Sequence, residues 1–572
     1  MTGSVDRVRL LVIPLAGAIA VFPLVLHGPS YGHDFNFHLL NWMEAARQFS
    51  HGTLYPRWAY SPAYNAGEPR FVFYPPLSWA LGAVLGLLLT HVPKVSSETA
   101  WTAVPIVYTW ICLTAAGFTM HRTARVFAGR NAALIASALY LANPYMLFTA
   151  YERAAYAELL AAAWMPLLLL AMLSPRLRAS RIAGIVALLW LTNAPAAVIG
   201  CYAIGVLAVL RIATAHGSKF ADSLRRSTWT VVLPTGAGLV AGIGLAGFYF
   251  VPAAWERRFV QISMATIVNM RIDHNFLFEH TGTSLDAVMH DAVLHTASWI
   301  AVSLLAAAGL ALLACWVERR GQSLDRVGDF PLPLTSLLWA VGIVAFLLTG
   351  ASNIVWQHAP ELIFLQFPWR LLIVGAPIST LAIAAALSSV RVGRPSVVGI
   401  ACMLAAGLTA VSYGPFHQIS EAGQSVASLL SSFQQNKGAD PTDEYTPETA
   451  DNDALHRGYP PYWIATNAAA PAPPNSDPGP TQRHFEIVSP GPEYLILNLR
   501  DYPPWRVEVN GGVHKERERR DDGLIAVPVP AGTSTIDIRY SHMPDEVAGG
   551  ALSVGSVAVL VLLRRRERFA RL

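Results

Sequence analysis

Charge is scarce in this 572-residue chain: Asp, Glu, Lys and Arg together make up 14% of it, against 53% hydrophobic residues. A soluble domain carries about 25% charged residues. The composition therefore excludes one and, with a mean hydropathy of +0.40, indicates an integral membrane protein. Cysteine is scarcer still. Cys112, Cys201, Cys315 and Cys402 lie far apart in apolar stretches, which excludes a disulfide framework or cysteine metal motif and leaves buried small hydrophobes. No phosphate-cradling glycine loop is present, no 20–50-residue repeat, and no paired interrupted helices in matching halves, as an inverted-repeat transporter would show. The net charge of +4 says little, because the charges are sorted by side, and nucleic acid is not an expected partner.

What is present is a series of apolar runs. Those of spanning or near-spanning length are 10–26, 99–120, 131–149, 155–173, 195–213, 230–251, 297–317, 332–350, 371–389, 397–411 and 547–563. Two shorter runs, 77–91 and 182–193, are ambiguous. A helix needs about 20 residues to cross ~30 Å of hydrocarbon, so a run of about 15 covers only about 22 Å. The positive-inside rule decides between them. If 182–193 crosses and 77–91 does not, one side receives Arg7/Arg9, Arg122/Arg125/Arg130, Arg176/Arg178/Arg181, Lys219/Arg225/Arg226, Arg319/Arg320/Arg326, Arg391/Arg394 and Arg564–Arg566. The expected fold is a polytopic α-helical membrane protein of about 12 spans, both termini cytoplasmic. Its first run is uncleaved despite the small-residue pattern Ala18-Ile19-Ala20. Segment 77–91 lies on or dips into the outer leaflet, opened by Pro75-Pro76, with Trp79 at the interface.

The long insertions then fall outside. Residues 1–411 form the transmembrane domain with outer loops 28–98, 252–296 and 351–370, and 412–480 is a linker whose part 424–480 is rich in Pro, Ala, Asp, Asn and Ser. Residues 481–546 form a small extracytoplasmic β-sandwich, read from the run 493–499, the alternating 505–509 and the turn Pro530-Ala531-Gly532. Residues 547–572 are a last span with a basic tail.

The chemistry gathers on the outer side. Gly32-His33-Asp34-Phe35-Asn36-Phe37-His38 sets a carboxylate and two imidazoles at the membrane edge, where charge is costly unless wetted or used. Asp34 is ionised at neutral pH and can serve as a general base towards a hydroxyl; equally, Asp34 and Asn36 can cap the helix that follows. His33 and His38 can orient the carboxylate, bind a leaving phosphate or hold a divalent metal, the one candidate cofactor. Glu152 and Arg153 form a loop ion pair or a polar wall. Glu158, in the first turn of a span, is either a dipole partner or a cavity group. In Gln366-Phe367-Pro368-Trp369-Arg370, the guanidinium either pairs with a lipid phosphate or snorkels to head groups. Glu256, in Trp255-Glu256-Arg257-Arg258, is a weaker candidate of the same kind.

The position of Asp34 just after the first span, followed by Tyr74-Pro75-Pro76-Leu77-Ser78-Trp79 and a non-crossing helix, resembles the membrane glycosyltransferases of the GT-C fold. Gly32–His38, Phe73–Pro76, Gln366–Arg370 and Asp501-Tyr502-Pro503-Pro504-Trp505 resemble more closely the bacterial "6-pyruvoyl-tetrahydropterin synthase-related" membrane proteins and the YfhO-like proteins. The resemblance implies a polyprenyl-phosphate sugar donor, an envelope glycan, lipid or protein acceptor, and residence in a bacterial cytoplasmic membrane. It implies that Asp34 is the catalytic acid, that Glu152 or Glu158 is the second acidic position and that Arg370 is the phosphate ligand. The family often carries an acidic pair where this chain has His33 and a lone Asp34. A non-enzymatic lipid or polysaccharide transport or assembly factor on the same fold is the alternative, with Asp34 and Arg370 as binding groups only.

Overall fold

The structure, a computed structural model, describes residues 10–214, 220–321, 331–389, 394–473, 477, 479–515 and 517–569. Of the basic residues that set the expected topology, Arg7, Arg9, Lys219, Arg326 and Arg391 lie outside them. The helices are α1 (Val12–His27), α2 (Phe35–Ser50), α3 (Pro76–Thr90), α4 (Ser97–Phe127), α5 (Arg130–Leu141), α6 (Tyr156–Ala162), α7 (Met165–Leu173), α8 (Ala179–Thr192) and α9 (Ala194–Thr214). They continue as α10 (Phe220–Leu245), α11 (Gly247–Glu256), α12 (Leu285–Gly321), α13 (Leu334–Leu347), α14 (Leu372–Ala386), α15 (Arg394–Phe416), α16 (Val426–Gln434) and α17 (Pro544–Phe569).

Among the described residues, eight helical stretches are long and apolar enough to cross a membrane, or up to ten if two bent pairs each count as one span. One pair bends by 78° between 245 and 247, the other by 93° after Leu347. Three shorter apolar helices, α1, α3 and α8, remain, so length and composition alone do not establish the expected twelve. Trp79 is buried among Phe49, Tyr55 and Phe71, and its indole donates to Tyr74 O at 3.1 Å. Helix α3 packs on α2 and α4, with Gly82 and Gly86 lying under the rings of Trp42 and Trp101, where a Cβ would clash.

The bend at 245–247 frees backbone groups that lipid cannot satisfy. Helix α17 supplies the partner: Ser553 Oγ accepts from Phe248 N at 2.8 Å and donates to Gly244 O and Leu245 O. Small residues let the two helices meet, since a Cβ on Gly549 would lie 2.5 Å from Gly247 O, the close approach typical of membrane helix pairs.

Strands β1 (Tyr462–Ala465), β2 (His484–Ser489), β3 (Glu493–Arg500), β4 (Trp505–Val509), β5 (Gly512–His514), β6 (Leu524–Val529) and β7 (Gly532–Tyr540) form two antiparallel sheets, ordered β1-β3-β6 and β2-β7-β4-β5. Alternate residues Trp505, Val507 and Val509 of β4 point inward, as period 2 requires, and meet Leu495, Leu497, Ile525 and Val527 of the other sheet in one core. Pro528 is tolerated because β6 is an edge strand. The stretch 424–480 is more ordered than its composition implies: it contains α16 and β1, which pairs with β3 in register Trp463↔Ile496. The sandwich thus begins before residue 481.

The sandwich is docked on the loop after α2. Trp58 sits in its core beside Tyr502 and Trp505, ring centroids 5.6 and 5.4 Å away. Arg500 N donates to Ala66 O at 3.0 Å and Asn498 Nδ2 to Tyr64 O at 3.2 Å.

Candidate active site

The loop Gly28–Asp34 lies against the turn that follows α5. After α5 the chain passes through Pro144–Leu147 into a π-helical turn at Phe148–Glu152, a rare form that is frequent at functional sites. His33 N donates to Glu152 O at 3.4 Å and Asp34 N to Arg153 O at 2.9 Å. Gly32 makes this possible: a Cβ there would sit 2.4 Å from Glu152 O. Ala154 holds φ +49°, a left-handed conformation costing a non-glycine residue on the order of 1–3 kcal/mol, of the kind that concentrates where function over-determines the backbone.

Asp34 occupies the position before α2, yet its side chain makes no capping hydrogen bond. The capping explanation of this half-buried carboxylate therefore fails. Asn36 does not cap either; its Nδ2 donates to Gln424 Oε1 at 2.8 Å. One turn on, His38 is buried, its Nε2 3.4 Å from Tyr74 Oη. Burial pushes its pKa down to about 4, against the opposing pull of the Asp34 carboxylate, so the imidazole is neutral.

Behind Asp34 lies a buried charge cluster. Glu158 accepts from Tyr145 Oη at 2.5 Å and from Arg153 Nη1 at 2.7 Å, and Arg370 Nε lies 3.4 Å from its second oxygen. Arg153 also stacks over the Trp369 ring at 4.6 Å. Arg370 is turned into the protein rather than snorkelling: it donates to Leu365 O at 2.8 Å and Gln366 Oε1 at 3.1 Å. Gln366 in turn donates to Ala265 O at 2.6 Å. With φ +63° and a Phe367 N to Leu365 O bond of 2.6 Å, Gln366 sits at the centre of a γ-turn of the rare positive-φ kind. The field of Asp34 reaches both guanidiniums.

Asp34, His33, His38, Glu152, Arg153, Glu158, Gln366, Trp369 and Arg370 are thus brought together from three stretches of chain. Glu256 is not among them: it is buried at the sandwich junction, accepting from Tyr502 Oη at 2.6 Å. Sequence reading missed Tyr145, which looks like a core aromatic, read Tyr74 only as the start of a motif and gave its hydroxyl no role, and missed Gln418, whose Nε2 donates to Glu152 Oε2 at 2.7 Å.

The imidazoles do not compose a metal site with Asp34. His33 is exposed, its Nε2 4.0 Å from Glu152 Oε1, whereas His38 faces Tyr74 in the interior. Among the described residues no three His, Cys, Asp or Glu side chains are grouped to hold a metal ion, so the residues do not fit the divalent metal considered from the sequence.

No family model matches this chain, and no curated protein matches it. Among solved structures it is similar to the arabinofuranosyltransferase AftD from Mycobacteria, with 14% identity and a TM-score of 0.42 over 95% of this chain and 40% of that one. It is also similar to the Archaeoglobus fulgidus oligosaccharyltransferase, with 14% identity and a TM-score of 0.38 over 73% of this chain and 56% of that one. The chain therefore spans less than half the length of AftD and little over half of the oligosaccharyltransferase, and a likeness of this degree assigns it no activity.

Proposed function

We propose that the chain is a membrane glycosyltransferase of the GT-C type, transferring a sugar from a polyprenyl-phosphate donor to an envelope glycan, lipid or protein acceptor. By its motifs it stands beside the YfhO-like and "6-pyruvoyl-tetrahydropterin synthase-related" proteins. The observation that carries this reading is the uncapped, half-buried Asp34 carboxylate set before two buried guanidiniums that share one counter-ion, Glu158. In this reading the protein lies in a bacterial cytoplasmic membrane with both termini cytoplasmic. Twelve spans result if both bent pairs and the short helices α1 and α8 cross while α3 does not.

In the reaction, the acceptor oxygen attacks the anomeric carbon as the bond from that carbon to the lipid phosphate breaks. The acceptor proton passes to Asp34, and the phosphate leaves with one more negative charge than it had as a diester. Asp34, Glu158, Arg153 and Arg370 sum to zero before reaction. Protonating Asp34 leaves one uncompensated guanidinium charge at the moment the phosphate acquires its own. Charge stabilisation of this pre-organised kind acts where charge develops, and the general base contributes typically about 10²–10⁴-fold.

The test is transfer of radiolabel from a panel of polyprenyl-phosphate sugars to membrane acceptors, wild type against Asp34→Asn. Label transferred by wild type and lost in the variant supports the reading. Equal transfer removes Asp34 from the mechanism. No transfer from any donor favours the transport or assembly factor.

A further inference from the structure

The two glutamates of the candidate active site are spent differently. Glu158 is engaged on both oxygens: Tyr145 Oη donates to Oε1 at 2.5 Å, Arg153 Nη1 donates to Oε2 at 2.7 Å, and Arg370 Nε lies 3.4 Å from Oε2. Glu152 is engaged on one. Gln418 Nε2 donates to its Oε2 at 2.7 Å, whereas among the described residues no donor reaches Oε1, the His33 Nε2 beside it standing 4.0 Å away. The Glu152 side chain is 10% exposed, and a carboxylate that deep is costly to leave with an oxygen unpaired.

The arrangement holding Glu152 is built from both sides. Gln418 N donates to Ser30 Oγ at 2.8 Å, Gln418 O accepts from Tyr31 N at 3.0 Å, and Ser30 Oγ donates to Tyr151 O at 2.8 Å. Main-chain bonds therefore anchor Gln418 to the loop before Asp34, and its amide fixes which oxygen of Glu152 is left free. Exposure separates this pair from the guanidiniums: the side chains of Arg153 and Arg370 are 5% and 12% exposed, and that of His33 is 57% exposed. The cations lie deep, and Glu152 and His33 form the rim. Asp34 stands on the adjoining rung, since Asp34 N donates to Arg153 O and His33 N to Glu152 O.

Across the 4.0 Å gap, one bridging atom lies within ordinary hydrogen-bond reach, about 2.7–2.9 Å, of both groups. That atom must donate to Oε1 and accept from the imidazole N–H, and a hydroxyl does both. An ammonium or amide nitrogen has no lone pair for the imidazole, and an ether or carbonyl oxygen has no proton for Glu152. We infer that Glu152 and His33 form an acceptor subsite for a sugar hydroxyl, neighbour to the hydroxyl that Asp34 deprotonates, and that Gln418 is its positioning residue. The inference rests on the proposed glycosyl transfer and narrows its acceptor to a glycan. A serine side chain or a simple lipid alcohol presents one hydroxyl, which Asp34 takes, leaving Oε1 unpaired. A sugar presents the next hydroxyl as well.

The experiment is saturation-transfer NMR on the full-length protein in lipid nanodiscs, titrating the methyl glycosides of mannose, galactose, glucose and arabinose and their singly deoxygenated analogues. Expected is that one parent glycoside binds wild type and that one of its deoxy analogues binds about tenfold or more weakly, a hydrogen bond to a charged group being lost. Glu152→Ala should weaken the parent by a similar factor and leave the deoxy analogue unchanged, so that the two bind alike. Gln418→Met keeps the main-chain bonds and should narrow the same difference severalfold, which a general loosening of the fold would not do. Should Glu152→Ala fail to accumulate, Gln418→Met is decisive alone. No binding of any parent, tolerance of every deoxy analogue, an undiminished difference in either variant, or failure of both variants to fold would each overturn the subsite. The readout uses no transfer. Glycoside binding through Glu152 without any transfer would retain the subsite and remove the reaction, and Asp34-dependent transfer without such binding would do the reverse.

Discussion

Glu158 is the residue whose removal should be felt most. It is 4% exposed and takes three charge-assisted contacts, from Tyr145 at 2.5 Å, Arg153 at 2.7 Å and Arg370 at 3.4 Å. Breaking a buried ion pair by deleting one partner costs about 3–5 kcal/mol, because the other charge is left uncompensated. Glu158→Gln leaves two such charges, so the upper end of that range applies. Arg370→Met alone should cost less, since Arg153 stays paired at the shorter distance. In the double variant Glu158→Gln/Arg370→Met, the second change removes an orphaned cation. The cycle should therefore return a coupling of about 1–3 kcal/mol, with the double variant no worse than Glu158→Gln alone. Thermal unfolding of the four proteins in one detergent, followed by intrinsic fluorescence, gives the comparison. Strict additivity of the two single changes would refute the shared counter-ion.

Two further outcomes follow from the same geometry. His38, held neutral with its pKa near 4 against an ordinary 6.5, stabilises the fold fully above pH 6.5. That contribution, roughly 3 kcal/mol at most, is lost as pH falls towards 4, and His38→Phe should flatten the acid limb of a stability-pH curve. Gly32→Ala places a methyl 2.4 Å from Glu152 O, so the loop must shift away from the π turn. A destabilisation of about 1–3 kcal/mol, as for overpacking, should appear in the melting midpoint, and unchanged stability would show the two loops to be loosely apposed.

The sequence disclosed most of the apolar helices because apolar runs are a local signal, and drew attention to Asp34 because a carboxylate beside such a run is conspicuous. It also disclosed β3, as a short apolar run, and β4, by its alternation. It hid β1, only four residues within a Pro- and Ala-rich stretch. Tyr145 was hidden because a tyrosine in an apolar run looks the same whether its hydroxyl is idle or bound to Glu158. Gln418 reaches Glu152 across 266 positions, and no periodicity carries such a contact. Glu256 misled by its neighbours: Arg257 and Arg258 make it look like a second Arg370-type motif, yet its partner is a tyrosine of the sandwich. Arg370 itself was legible as charge but not as orientation, since whether it snorkels or turns inward depends on Glu158.

The seam between the bend at 245–247 and α17 has a consequence for how the protein is made. Phe248 and Ser553 are 305 positions apart, and at ~5–20 residues per second the ribosome needs about 15–60 s to travel that far. During that interval the broken helix is already in the membrane while the serine that completes its hydrogen bonding has not been synthesised. Completing the bend is therefore a late, long-range step: α17 must find a slot prepared about 300 residues earlier in the chain, and until it does the groups freed at 245–247 lack their serine partner.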